Sequence, residues 1–172
     1  MDRSRKGLVF VLGGARSGKS RHAEGLFEDM ASPWTYIATA QALDDEMHER
    51  IAHHRARRDA RWQTVEAPLD LAGALEGLPD GQPALVDCLT LWLTNVMLAG
   101  HDVAAEIDRL LEVLSKRRGL WVVVANEVGL GIVPDNALAR RFRDAAGRLN
   151  QAVAAEADSV VFMVAGLPMA VK

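Results

Sequence analysis

The sequence predicts an α/β fold, a mainly parallel sheet sandwiched by helices. Short continuous apolar runs recur along the chain, segments of helical character alternate with them, and the first run passes through a glycine-rich turn into a helix. Apolar runs bounded by turn residues mark strands buried on both faces. Regular alternation of such strands with helices is the pattern of a parallel sheet built by crossovers.

The first strand is expected over residues 8–12 (LVFVL), and further strands over 35–38, 84–86, 120–125 and 160–164. Helices are expected over 19–30, 44–59, 89–98, 103–117 and 136–157. The LPDGQP stretch at 78–83 is a surface turn, since Asp-Gly between prolines suits a tight connection. Gly166-Leu167-Pro168 turns the chain again, and the last four residues suit a short antiparallel edge strand. No repeat or long linker divides the 172 residues, so residues 1–172 read as one domain with one nucleotide-binding centre.

Composition narrows the class. Hydrophobic residues make up 49% and charged residues 25%, the mix of a globular protein rather than a disordered one. A net charge of −3 recommends neither nucleic acid nor a membrane surface as partner. Cys88 is the lone cysteine, so an internal disulfide is excluded and a reducing, cytoplasmic setting is expected. No apolar run has the length to cross a bilayer, and no transmembrane segment is expected.

Gly13-Gly14-Ala15-Arg16-Ser17-Gly18-Lys19-Ser20 fits the phosphate-loop pattern G-x-x-x-x-G-K-[ST] without mismatch, with the expected strand before it and helix after it. Small residues let consecutive backbone N–H groups turn inward around phosphate oxygens. Lys19 is expected to reach the β- and γ-phosphates and the Ser20 hydroxyl to ligate Mg²⁺. A second acid for Mg²⁺ is expected at the end of a neighbouring strand, and Asp87, closing the ALVD run, is the candidate. Asp87 also suits the cap of the helix that follows it.

Asp87 is followed by Cys-Leu-Thr without a glycine, and Asn126-Glu127-Val128-Gly129 lacks the lysine and aspartate of a guanine-reading loop. A signalling GTPase is thereby disfavoured, and a small-molecule kinase or nucleotidyl transferase remains. The segment Asp44 to Arg55 has acids first and bases last, the sense that suits a helix dipole, with only Met47 and Ile51 as an apolar stripe. Such a helix is largely exposed. Its His48-Glu49 followed by His53 is one residue longer than the spacing that puts zinc ligands on one face. A solvated histidine pair is the plain reading. The chemical one uses a neutral imidazole as nucleophile at phosphorus, with Arg50, Arg55, Arg57 and Arg58 balancing charge.

Several stretches together resemble one family: GGARSGKSRHAE (13–24), YIATAQ (36–41), DDEM (44–47), RIAHH (50–54), NEVGLGIVP (126–134) and AGRLNQ (146–151). They resemble adenosylcobinamide kinase/adenosylcobinamide-phosphate guanylyltransferase, and the resemblance covers essentially the whole chain. It implies a RecA-like P-loop fold with an antiparallel strand at the end of the sheet, and a homotrimer. The implied activity phosphorylates adenosylcobinamide with ATP or GTP, then transfers GMP from GTP to that phosphate through a histidine adduct. By the same resemblance His53 carries GMP, and His54, Arg55, Ala56 and Arg57 lie along the GTP. Thr39, Ala40 and Gln41 after the second strand and Glu66 after the third approach the nucleotide. Glu127 receives no task. Two other readings stay open on the residues alone: a P-loop kinase of another small alcohol, and a non-catalytic nucleotide-dependent subunit.

Overall fold

A computed structural model describes residues 6–41, 45–56 and 58–172; within the second helix the side chains at 46, 47, 50 and 53–55 are also outside the description. The strands are β1 (Gly7–Gly13), β2 (Trp34–Ala38), β3 (Trp62–Glu66), β4 (Ala84–Asp87), β5 (Leu120–Asn126), β6 (Ser159–Val164) and β7 (Leu167–Ala170). The helices are α1 (Lys19–Gly25), α2 (Asp45–Ala56), α3 (Leu71–Glu76), α4 (Leu89–Leu98), α5 (Val103–Ser115) and α6 (Ala137–Glu156). All strands join one seven-stranded sheet in the order β3-β2-β4-β5-β1-β6-β7. Every pairing is parallel except β6 with β7.

The apolar runs exist because the sheet is buried on both faces. In β5, Trp121, Val123 and Ala125 join the core under α3 to α6, whereas Leu120, Val122 and Val124 join the core on the α1 side. In β1, Leu8 and Phe10 face the first core and Val11 the second. Alternation along a strand therefore alternates between two apolar layers, and no polar residue is called for.

The differences from expectation have physical causes. β3 and α3 carry no continuous apolar run. β3 is an outer strand with Gln63 to Glu66 exposed, and α3 is a short helix capped by the Asp70 carboxylate, which accepts from the Gly73 N–H at 3.1 Å. The helix expected over 19–30 ends at Gly25; Leu26, Phe27 and Glu28 bond to the carbonyls three residues back, tightening the chain into turns. Of the helix expected over 44–59, Asp45–Ala56 is helical and residues 58 and 59 are not, while 44 and 57 lie outside the described residues. The C-terminal antiparallel strand is present, but two residues earlier than the last four of the chain.

Asp87 also sits differently. β4 does not neighbour β1; β5 is inserted between them, because β1 pairs with β5 and β6 only. Adjacent strands β1 and β5 send their chains to opposite faces, β1 into α1 on one core and β5 into α6 on the other. In open parallel sheets such a divergence opens a crevice at the carboxyl edge, where ligands bind.

Candidate functional site

The phosphate loop lies at that crevice. Gly13 ends β1 and Gly18, at φ +91, caps α1, a backbone conformation that a side chain disfavours. Gly13 is glycine for want of room: a Cβ there would lie 2.5 Å from Ser17 Oγ and 3.1 Å from Met163. Lys19 is 9% exposed and folds back so that its Nζ donates to the Gly14 carbonyl at 2.8 Å. The ammonium thus arches over the loop. Ala15 and Arg16 are exposed at its crown, Gly14, Ser17 and Ser20 half-buried, and Ser17 Oγ is buried without a hydrogen-bond partner.

The loop is braced from outside its own motif. The N–H of Gly166, in the tight turn joining β6 to β7, donates to the Ser17 carbonyl at 3.0 Å. A Cβ on Gly18 would come within 3.3 Å of Gly166 Cα. From the opposite strand, the Glu127 N–H donates to the Gly13 carbonyl at 3.1 Å. The Glu127 carboxylate accepts from the Gly129 N–H at 2.6 Å, which gives this residue a structural task in shaping the chain that leaves β5. Nothing in the motif's own eight residues announces these braces.

Asp87 closes β4, two strands from β1, with Tyr36 donating its hydroxyl to the carboxylate at 3.1 Å. The Arg58 guanidinium lies over the Tyr36 ring at 3.6 Å, a cation–π contact, and its Nη1 is buried without a partner. Burial pushes the Tyr36 phenol far up, and the Asp87 charge reinforces it, so the phenol stays a donor. Burial, and secondarily Asp87, also pushes the Cys88 thiol up to about 11. The donor set expected for Mg²⁺, the Ser20 hydroxyl and the Asp87 carboxylate, consists of hard oxygens and suits that ion in kind. No cluster of three acidic, histidine or cysteine side chains occurs among the described residues.

The remaining expected residues divide. Thr39 is fully buried; its hydroxyl donates to the Cys88 carbonyl at 2.7 Å and accepts from the Cys88 N–H at 2.9 Å. Asn95 donates to the Thr39 carbonyl at 2.8 Å. Thr39 therefore ties β2 to the turn after β4, and Ala40 and Gln41 follow it half-buried. Glu66 ends β3 at the outer side of the sheet, exposed. His53, His54, Arg55 and Ala56 lie in the last turns of α2; the side chains of the first three, and Arg57 altogether, are outside the described residues. Among the described residues α2 contributes nothing to either core.

Sequence reasoning passed over Asn126. It ends β5 opposite Gly13, takes a 2.7 Å bond from its N–H to Thr90 Oγ1, and holds a buried Oδ1 without a partner. Its place between the phosphate loop and the Asp87 strand depends on the insertion of β5, which no local pattern reports.

A phosphate loop between a doubly buried strand and a helix, with a further strand inserted before the acid-bearing one, defines a P-loop nucleotide-binding enzyme of RecA-like fold. Over residues 9–171 the chain matches the family described as cobinamide kinase / cobinamide phosphate guanyltransferase. The chain belongs to that family. It is 52% identical over 165 residues to the bifunctional adenosylcobalamin biosynthesis protein CobP of Pseudomonas aeruginosa, spanning 94% of this chain and 95% of that one. To the corresponding CobU protein of Salmonella typhimurium it is 44% identical over 182 residues, spanning 96% and 99%. Among solved structures it is similar in fold to a Pyrococcus horikoshii OT3 protein, with a TM-score of 0.56 at 11% identity over 98% of this chain and 87% of that one. It is also similar to the RadB recombinase, with a TM-score of 0.50 at 17% identity over 91% and 73%.

Proposed function

We propose that this protein performs both reactions of its family at one phosphate site, first phosphorylating adenosylcobinamide and then converting the product to adenosylcobinamide-GDP. The observation that carries the reading is the family match over residues 9–171, which takes in both the phosphate loop and the helix bearing His53. In the kinase step the substrate hydroxyl attacks the γ-phosphorus of ATP or GTP, the bond to the β-phosphate breaks, and the nucleoside diphosphate leaves. In the guanylyl step the His53 imidazole attacks the α-phosphorus of GTP, an N–P bond forms and pyrophosphate leaves. The phosphate of adenosylcobinamide phosphate then attacks that phosphorus and frees His53.

The chain's contribution to both steps is positional and electrostatic. Backbone N–H groups of residues 13–20 hold the phosphates, and the Lys19 ammonium moves from the Gly14 carbonyl onto them. Mg²⁺, when bound by Ser20 and Asp87, would neutralise charge on the phosphate oxygens. Thr39 to Gln41 and Glu66 would border the nucleotide from the outer strands, and His54 to Arg57 would line it beside His53. The working unit is proposed as a homotrimer in the cytoplasm. Among the described residues, no helix is long and apolar enough to cross a membrane. Light scattering should return three chain masses, and a monomer mass would end the trimer reading.

GTP labelled at the α-phosphate tests the chemistry. The protein should take up an acid-labile, alkali-stable label, and His53→Ala should lose it while keeping most kinase activity. Label that survives in His53→Ala would remove His53 from the mechanism.

A further inference from the structure

The crevice between β1 and β5 has two walls, and the proposed function uses only one. The first is the phosphate loop. The second is the chain from Glu127 to Asn136, which leaves β5 toward α6 and carries three exposed branched apolar side chains. Leu130 is 82% exposed, Ile132 98% and Val133 64%. Three branched apolar side chains so close together in water are unusual unless something covers them.

The segment is held in shape, and it does not owe its exposure to lack of attachment. At its start the Glu127 N–H bonds to the Gly13 carbonyl, and the Glu127 carboxylate takes the Gly129 N–H. Val128 packs inward against the core under α6. At its end Arg140 Nη1 donates to the carbonyls of Pro134 and Asp135, both at 2.8 Å, and the Asn136 side chain caps α6 by accepting from the Ala139 N–H at 2.7 Å. Between these fixed ends the apolar side chains point away from the protein.

We infer that Leu130, Ile132 and Val133 form the docking surface for the corrin macrocycle of the cobinamide substrate. The inference rests on the proposed function and adds to it the location of that substrate. Continuity with the phosphate site carries it. The segment begins one hydrogen bond from Gly13, so a large ligand seated on it has its reach into the γ-phosphate position. A corrin ring carries methyl groups between its amide arms and the reacting hydroxyl on one of those arms, so ring hydrocarbon rests on an apolar wall while the hydroxyl reaches the phosphate cradle.

The test substitutes Leu130→Ser and Ile132→Ser singly and together. Both side chains lie in water, so the fold does not depend on them. KM for adenosylcobinamide should rise roughly tenfold for each, since each substitution removes apolar surface that the ligand would otherwise bury. The affinity for GTP, the α-phosphate labelling and the particle mass should stay as in the wild type. An unchanged cobinamide KM overturns the inference alone. A reduced particle mass with unchanged cobinamide KM also overturns it, and assigns the surface to a second copy of the chain. A wild-type protein that turns over no cobinamide, yet binds GTP, fells the proposed function and the inference with it.

Discussion

Asp158 illustrates how a single side chain outside the site supports the strand that carries it. Its carboxylate accepts the Leu8 N–H at 2.7 Å, at the entry to β1, and pairs with the Arg117 guanidinium at 2.8 Å. The Leu8 N–H first, and Arg117 after it, hold the carboxyl below its ordinary value. A depressed folded-state pKa means stabilisation that is complete above the ordinary carboxylate pKa of about 4 and is lost as pH falls through the folded value. Asp158→Asn keeps an oxygen for Leu8 and cannot titrate. Its urea midpoint should therefore fall less steeply than the wild type's below about pH 4, with the two differing most at neutral pH. Parallel profiles would mean that the exposed carboxylate is screened into irrelevance. At this scale the phosphate loop was legible in the sequence, because its requirement is local: small residues, one lysine and one hydroxyl in eight positions. The Tyr36–Asp87 and Thr39–Cys88 contacts were not, since 51 and 49 residues separate the partners and only the pairing of β2 with β4 brings them together.

Among the elements, the hairpin of β6 and β7 has a role beyond closing the sheet. Its turn places Ala165 at φ 51 and Gly166 at φ 81, and the Gly166 N–H then meets the Ser17 carbonyl. A branched residue at Gly166 costs roughly 1–3 kcal/mol in backbone strain and moves the turn. Because that turn leans on residues 17 and 18, Gly166→Val should weaken GTP and ATP binding several-fold while leaving the KM for cobinamide near the wild-type value. Isothermal titration with each nucleotide measures this. Full nucleotide affinity in a destabilised Gly166→Val would reduce the hairpin to an edge cover. The elements that the sequence revealed are those whose environment leaves a one-dimensional trace. β1, β2, β4, β5 and β6 are mostly apolar because both sheet faces are covered. β3 and α3 left no such trace: β3 lies at an edge and is half polar, and α3 is short, so neither forms an uninterrupted run. The family resemblance placed Glu66 after a third strand where hydrophobic patterning did not.

For the whole molecule, strand order decides how binding energy spreads. β1, from the start of the chain, is hydrogen-bonded between β5 and β6 from its second half, and the last strand braces the loop that follows the first. β1 has no strand partner within the N-terminal half of the described chain, and β5 and β6 are joined only through it. Ligand held at the carboxyl edge should therefore stabilise the molecule as one cooperative unit. With GTP and Mg²⁺ at 100 times Kd, linkage supplies about 2.7 kcal/mol. For a chain of 172 residues that raises Tm by roughly 5–10 °C. Lys19→Ala, which removes the ammonium arching over Gly14, should lose most of the shift. Scanning calorimetry with and without nucleotide should show a single transition that moves as a whole. Two transitions, with only one moved by GTP, would contradict the interlocked strand order and assign the phosphate loop to a separately melting part.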